Sequence, residues 1–524
     1  MSVRLLRVLV FALSAALGAI SIHAAQRPNV LLILVDDLKP SFGAYGDAFV
    51  HSPNLDRLAE RGVRFNAAYC NQAVCAPSRV NLLIGSRSTS TGIYSLSVNF
   101  RVAEPDAVTM PQHFMRNGYH VAGVGKVYHI GHGNTDDEAS WSEPFHPEKV
   151  IDYVLPESTE GQLTREEAYF SNQALDRIGE LPRGAAFERA DVPDDAYADG
   201  RIANEGIARL RQAADREQPF FLALGFVKPH LPFCAPEKYW ALYDNVDLPI
   251  ATVRDYPDGA PNYAGKPKFG ELNQYKPVPQ TPPMTSELER TLVQGYYASL
   301  SYMDAQVGRV LDELDRLGLA ENTIVVLWGD HGFHLGDHGV WTKHTNYEQA
   351  NRIPLIFSGP GIQAGSATTA LAETVDVYPT LAELTGLPRP SGPQPIDGVS
   401  LVPVLQDPRA KVRDHAYHAF PRQGNRLGRA IRTERYRMVE WKRFGDPAEK
   451  AEYELYDYET DPLETRNLAD EQPEVLRSLQ EMLRQHPDAV PPVEQPANVG
   501  TDHAHPEHST SRQRGAHSGI VKKN

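Results

Sequence analysis

Val30-Leu-Leu-Ile-Leu-Val35, followed at once by Asp36-Asp37, is the stretch on which the fold turns. An unbroken apolar run suits a strand buried on both faces, as in a parallel sheet flanked by helices. Phe220 to Phe226, Thr323 to Trp328 and Pro354 to Phe357 repeat the texture. Between the runs lie segments of helical period. Leu292, Tyr296, Leu300, Met303, Val307, Val310, Leu311, Leu314 and Leu317 keep a three-to-four spacing until Gly318, and shorter helices are predicted near Asn54, Thr109 and Asp376. Strands alternating with helices predict an α/β sandwich with a large, mostly parallel sheet.

In such sheets ligands bind beyond the carboxyl ends of the strands, so the polar residues just after the runs are the candidates. They are Asp36-Asp37, Lys228-Pro229-His230 and Asp330-His331-Gly332. Two ionised carboxylates at the end of a buried strand are costly without a cation, and a hard divalent metal is the simplest remedy. A helix cap or a turn is the plain alternative for Asp36-Asp37. Asp330-His331 adds a third carboxylate and an imidazole at a neighbouring strand end. Residues 134–199 and 252–284, rich in Pro, Gly, Asp, Glu and Tyr, interrupt the pattern and read as long insertions around the site.

At 524 residues the chain is too long for one small core. Its texture predicts a leader over 1–25, a catalytic domain over 26–404, a small α+β subdomain over 405–490 and a disordered tail over 491–524. The leader has a basic start at Arg4 and Arg7, an apolar stretch from Val8 to Ile22 and a small-residue end at Ala24-Ala25, the layout of a secretory signal peptide. A periplasmic or secreted protein is expected, with no membrane insertion of the mature chain. The three cysteines, Cys70, Cys75 and Cys234, cannot make a disulfide framework, and whether Cys70 and Cys234 pair is open. A formal charge of −15 opposes long-range attraction to nucleic acid, acidic membranes or long polyanions. Nucleic acid is not an expected partner. An anionic substrate must be captured locally, which favours small molecules or chain ends. His503, His505, His508 and His517 in the tail read as solvated residues before they read as metal ligands.

Cys75-Ala76-Pro77-Ser78-Arg79 carries the chemistry. Proline favours the first helical position, so a helix is predicted from Pro77, with Arg79 one turn beyond Cys75 and on the same face. Gly125-Lys126-Val127-Tyr128-His129 and Lys228-Pro229-His230 each set a cation near a histidine, and Trp341-Thr342-Lys343 adds a lysine after Asp330. Cleavage of an anionic ester needs positive groups on its nonbridging oxygens and a proton donor for the leaving alcohol. Each of these residues alone is more often a surface lysine or a core histidine. Their joint occurrence is the signal.

The succession VDD, CAPSR, GK-x-x-H, KPH, DHG and W-x-K resembles the type I sulfatases of the alkaline-phosphatase-like fold, and within them the iduronate-2-sulfatase group. The resemblance runs from about Arg27 to Leu468. Lys126 and His129 stand three apart, where arylsulfatases typically place them two apart, and His331 stands where arylsulfatases usually have asparagine. Phe333 stands where the lysosomal enzyme of the group has a bulkier aromatic. The resemblance implies that a separate maturation enzyme converts Cys75 to formylglycine, whose hydrated aldehyde attacks the sulfate ester. It implies calcium, with magnesium as the alternative, held by Asp36, Asp37, Asp330, His331 and the side chain derived from Cys75. Arg79 and Lys126 would steady the nucleophile, His129 would act as base, and His230 and Lys343 would hold the sulfate and assist departure of the alcohol. A thiolate could attack sulfur too, but only a gem-diol keeps a second hydroxyl for release. The substrate implied is a sulfated carbohydrate, a 2-O-sulfated uronate at a glycan end. Choline sulfate, an aryl sulfate, or a phosphonate or phosphate ester is the alternative within the fold.

Overall fold

The computed structural model describes residues 27–265 and 269–494. The predicted leader (1–25) and nearly all of the predicted tail (491–524), with its four histidines, lie outside the described residues. Among the described residues thirteen strands are formed: β1 Asn29–Val35, β2 Gly62–Tyr69, β3 His120–Gly125, β4 Phe187–Ala190, β5 Phe220–Phe226, β6 Phe233–Pro236, β7 Thr323–Gly329, β8 Arg352–Ser358, β9 Ser366–Glu373, β10 Ala416–Arg422, β11 Arg426–Arg432, β12 Tyr436–Arg443 and β13 Glu452–Asp457. The principal helices are α1 Pro53–Glu60, α2 Cys75–Ile84, α3 Met110–Arg116, α4 Ala198–Ala214, α5 Ser286–Arg316, α6 Val377–Leu384 and α7 Pro473–Leu483.

Seven strands make the central sheet in the order β3-β5-β1-β7-β8-β2-β9. β1 lies parallel to both β5 and β7, and β3 parallel to β5, while β8 runs antiparallel to β7 and β2. The sheet is therefore mostly parallel, as the apolar runs predict. β1 shows why its run is unbroken. Leu31, Ile33 and Val35 enter a core that includes residues of α1, α4 and α5, whereas Val30, Leu32 and Leu34 enter a second core that includes residues of α2, α3 and α6. Successive side chains point to opposite faces, and both faces are covered.

Helix α5 takes up the long periodic segment, starts from a Thr285 cap that accepts from the Leu288 N–H at 3.2 Å, and ends just before Gly318. Thr109 and Gln112 form a reciprocal cap at the head of α3. Beyond the main sheet, β10 to β13 form a four-stranded antiparallel sheet, with α7 against β11 and β12. No helix among the described residues is long and apolar enough to cross a membrane.

Candidate active site

The four strands β3, β5, β1 and β7 are neighbours and parallel, so their carboxyl ends lie side by side. Lys126 follows β3, Asp36 and Asp37 follow β1, Asp330 and His331 follow β7, and His230 lies just past β5. Position is enforced by close backbone approach. The Lys126 N–H donates to the Gly225 carbonyl at 2.7 Å, and a Cβ on Gly225 would fall 2.1 Å from the Lys126 carbonyl carbon. Asp37 is held at φ +56°, where side chains are rare, with its N–H on Asp330 Oδ1 at 3.1 Å and its carbonyl accepting from Tyr296 Oη at 2.8 Å.

Helix α2 begins at Cys75 itself, two residues earlier than the start predicted at Pro77. Pro77 sits in the first turn, where an N–H has no partner within the helix, so its missing hydrogen costs nothing there. Arg79 is fully buried, which excludes a surface arginine. Its Nε and Nη2 both lie 3.1 Å from Asp330 Oδ2, its Nη2 is 3.4 Å from Asp36 Oδ1, and its Nη1 donates to the Lys126 carbonyl. Lys126 Nζ pairs with Asp36. Lys343 Nζ stands 3.1 Å from Asp37 Oδ1 and 2.7 Å from Glu271 Oε2. Cys75 Sγ is 3.3 Å from His331 Nε2.

Burial works to raise the Asp36 carboxyl, but Lys126 and Arg79 outweigh it and hold the group well below the ordinary range. Asp37 is pushed up to about 7, by burial first, with Lys343 opposing and Asp36 adding to the rise. Burial, then Asp36, drives Asp330 well above the ordinary range. The Cys75 thiol goes up for the same two reasons. His129, His230 and His331 are all driven well below the ordinary histidine value by burial, so they stay neutral. Lys343 is also buried, yet Asp37, Cys75 and Glu271 keep its ammonium well above the ordinary value.

A divalent cation fits this arrangement. One donor atom each from Asp36, Cys75, Asp330 and His331 lies within 4.8 Å of the others, and Asp37, Cys75 and His230 make an overlapping group. Asp36 Oδ1 and Asp37 Oδ1 are buried and accept no hydrogen bond. His331 Nδ1 lies 3.0 Å from the Gly332 carbonyl, which can only accept, so Nδ1 carries the hydrogen and Nε2 turns its lone pair to the cluster. Three carboxylates, Asp36, Asp37 and Asp330, stand among the six residues of the two groups and supply the oxygen donors a hard cation prefers.

All ten residues named from the sequence as catalytic or metal-binding are buried. Asp36, Asp37, Cys75, Arg79, Lys126, Asp330, His331 and Lys343 are joined by the contacts just given. His230 joins them through Glu271, whose Oε1 is 3.4 Å from His230 Nε2. His129 joins through Phe170, whose ring lies 5.3 Å from that of His129, 5.5 Å from that of His230 and 4.9 Å from Lys126 Nζ. Lys228 is not part of the site, because its Nζ donates to the carbonyls of His230 and Pro232 at 2.9 and 2.7 Å. Phe170 and Glu271 were not identified from the sequence. Both lie in the two predicted insertions, where nothing in the local pattern distinguishes them from other residues. Glu166, in the same insertion as Phe170, is buried, and its carboxyl is raised to about 8 by burial and then by Glu271.

Comparison with known proteins agrees with the geometry. Residues 28–387 match the sulfatase family, and residues 336–489 match the family described as N-sulphoglucosamine sulphohydrolase, C-terminal. The chain is 35% identical to iduronate 2-sulfatase of Mus musculus, across 85% of this chain and 91% of that protein. It is 34% identical to iduronate 2-sulfatase of Homo sapiens, across 84% and 90% of the two chains. Among solved structures, BT4656 in complex with its substrate D-glucosamine-2-N,6-O-disulfate superposes with a TM-score of 0.67 at 23% identity, covering 88% of this chain and 97% of that one. That likeness speaks to the fold, which is the alkaline-phosphatase-like sandwich of the sulfatases. With Cys75 seated among the acidic strand ends, the chain belongs to the sulfatase family and is a sulfuric ester hydrolase.

Proposed function

We propose that the protein removes sulfate from carbohydrate, specifically the 2-O-sulfate of a uronic acid residue at a glycan chain end, after a maturation enzyme has turned Cys75 into formylglycine. The observation that carries the reading is Cys75 Sγ lying within 4.8 Å of donor atoms from Asp36, Asp330 and His331, at the strand ends where such a nucleophile must work. The identity with iduronate 2-sulfatases over most of both chains supports the uronate, and the charge of −15 supports a chain end rather than a long polyanion.

Formylglycine, when present, supplies a hydroxyl nucleophile and a second hydroxyl through which sulfate can be released. Calcium, held by Asp36, Asp37, Asp330, His331 and the residue derived from Cys75, would supply charge that polarises the sulfate oxygens. The chain's own residues do the rest. Lys126 and Arg79 keep Asp36 ionised and fix it beside Cys75. His129 is buried and neutral, with Nδ1 free of any hydrogen bond, the form needed to accept a proton. His230 Nδ1 donates to the Leu231 carbonyl, which leaves the lone pair on Nε2, so this atom must first take up a proton before it can pass one to the departing alcohol. Lys343, still charged, is placed to hold a sulfate oxygen.

A substrate panel tests the reading: an unsaturated 2-O-sulfated disaccharide, an aryl sulfate, choline sulfate and an aryl phosphate, each with matured protein and with Cys75→Ala. Turnover fastest on the disaccharide and lost in Cys75→Ala is the expected result. Preference for choline sulfate or the phosphate removes the uronate, and activity in Cys75→Ala removes the nucleophile. We also propose export, on the basic and apolar N-terminal pattern, and cell fractionation that finds the protein in the cytoplasm would refute it.

A further inference from the structure

Glu271 is an acid placed where the chemistry calls for cations. Its Oε2 lies 2.7 Å from Lys343 Nζ and its Oε1 3.4 Å from His230 Nε2, so one carboxylate spans the two groups assigned to the sulfate and the alcohol. Its place is built. Gly270, at φ +64°, presses against Thr342, the neighbour of Lys343, so closely that a Cβ would fall 2.6 Å from the threonine side chain. Leu272 and Tyr275, next along the same segment, are buried. From the other insertion, Arg183 Nη1 donates to the carbonyls of Asn273, Tyr275 and Val278 at 3.3, 3.1 and 3.0 Å.

The charge inventory gives the carboxylate a purpose. Arg79, Lys126 and Lys343 stand against Asp36, Asp37 and Asp330, three basic side chains to three acids. A divalent cation over the ionised acids would add two positive charges, and the Glu271 carboxylate, paired with Lys343, offsets one of them. A sulfate monoester carries one negative charge, whereas a phosphate monoester carries two above its second ionisation.

We propose that Glu271 is a specificity residue that matches the site to singly charged esters and rejects doubly charged ones. This rests on the sulfatase reading above and adds to it a reason for refusing phosphate. Removing one unit charge a few ångströms from the anion shifts the balance between a singly and a doubly charged ligand by about tenfold in a partly solvated site.

The test uses matured, calcium-loaded protein and two probes of one shape, benzenesulfonate and benzenephosphonate, at mildly alkaline pH, with affinities read by calorimetry. Glu271→Gln is expected to raise the phosphonate-to-sulfonate affinity ratio about tenfold, and Glu271→Asp to leave it near the wild-type value. Rates on an aryl phosphate and an aryl sulfate should shift in the same sense. An unchanged ratio in Glu271→Gln, with both affinities or both rates moved equally, overturns the proposal and reduces Glu271 to a support for Lys343. If the wild type turns over no sulfate ester, the function proposed above fails, while the affinity ratio still decides the role of Glu271.

Discussion

Asp37→Asn, followed by urea unfolding across pH with the metal chelated, measures how far this pocket depends on a cation. Asp37 is fully buried, and its carboxyl is moved from an ordinary 3.8 to about 7. The displacement of about three units corresponds to roughly 4 kcal/mol at ~1.4 kcal/mol per unit. A carboxyl raised in the folded state holds its proton more tightly folded than unfolded. The wild-type fold is therefore unpenalised below about pH 4 and loses stability as pH rises toward 7. Asparagine cannot ionise. In chelator, Asp37→Asn should thus gain on the wild type by roughly 4 kcal/mol between pH 4 and pH 8. The buried histidines, whose lowered pKa values act with the opposite sign over part of that range, cancel in the difference. Saturating calcium should reverse the order at neutral pH, because the ionised wild-type group then has its counter-charge. A difference that stays flat with pH in chelator, or one that calcium leaves unchanged, would refute the claim that Asp37 awaits a cation.

Arg79→Lys keeps the charge but not the planar fork that reaches Asp330 through two nitrogens and Asp36 through one. Loss of one or two charge-assisted bonds, about 2 to 3 kcal/mol, should lower kcat on a sulfate ester by about a hundredfold while circular dichroism stays unchanged. Gly225→Ala drives a methyl group into the Lys126 carbonyl, and the backbone must shift. It should cost about 1 to 3 kcal/mol in unfolding free energy and lower kcat further than the stability loss explains, which urea titration and steady-state rates together will show.

The sheet was legible where both of its faces are covered. β1, β5, β7 and β8 announce themselves as apolar runs, and the polar residues after three of them mark the site. β2, β3 and β9 did not. β3 and β9 are the edge strands, β3 carries Gly123 and Gly125, and β9 is written in alanine and threonine. β2 holds Arg64 and Asn66, and its register shifts against both neighbours between Phe65 and Ala68. The site residues were legible because strand ends and the Cys75 motif fix them in sequence. Phe170 and Glu271 were not, since loops that cross from afar carry no period. The insertions could be seen to surround the site, but which of their side chains enter it depends on contacts such as Arg183 on the 273–278 carbonyls, which only the folded chain reveals.

The division of β1 between two packed bodies has a consequence for how the molecule wears. The strand that ends in the acidic pair is a party wall, with Leu31, Ile33 and Val35 bearing on one room and Val30, Leu32 and Leu34 on the other. Neither room can settle without moving the wall, and the wall's free end is where a divalent ion would be held. Distant substitutions in either body should therefore be felt first as weakened cation affinity, before any general unravelling.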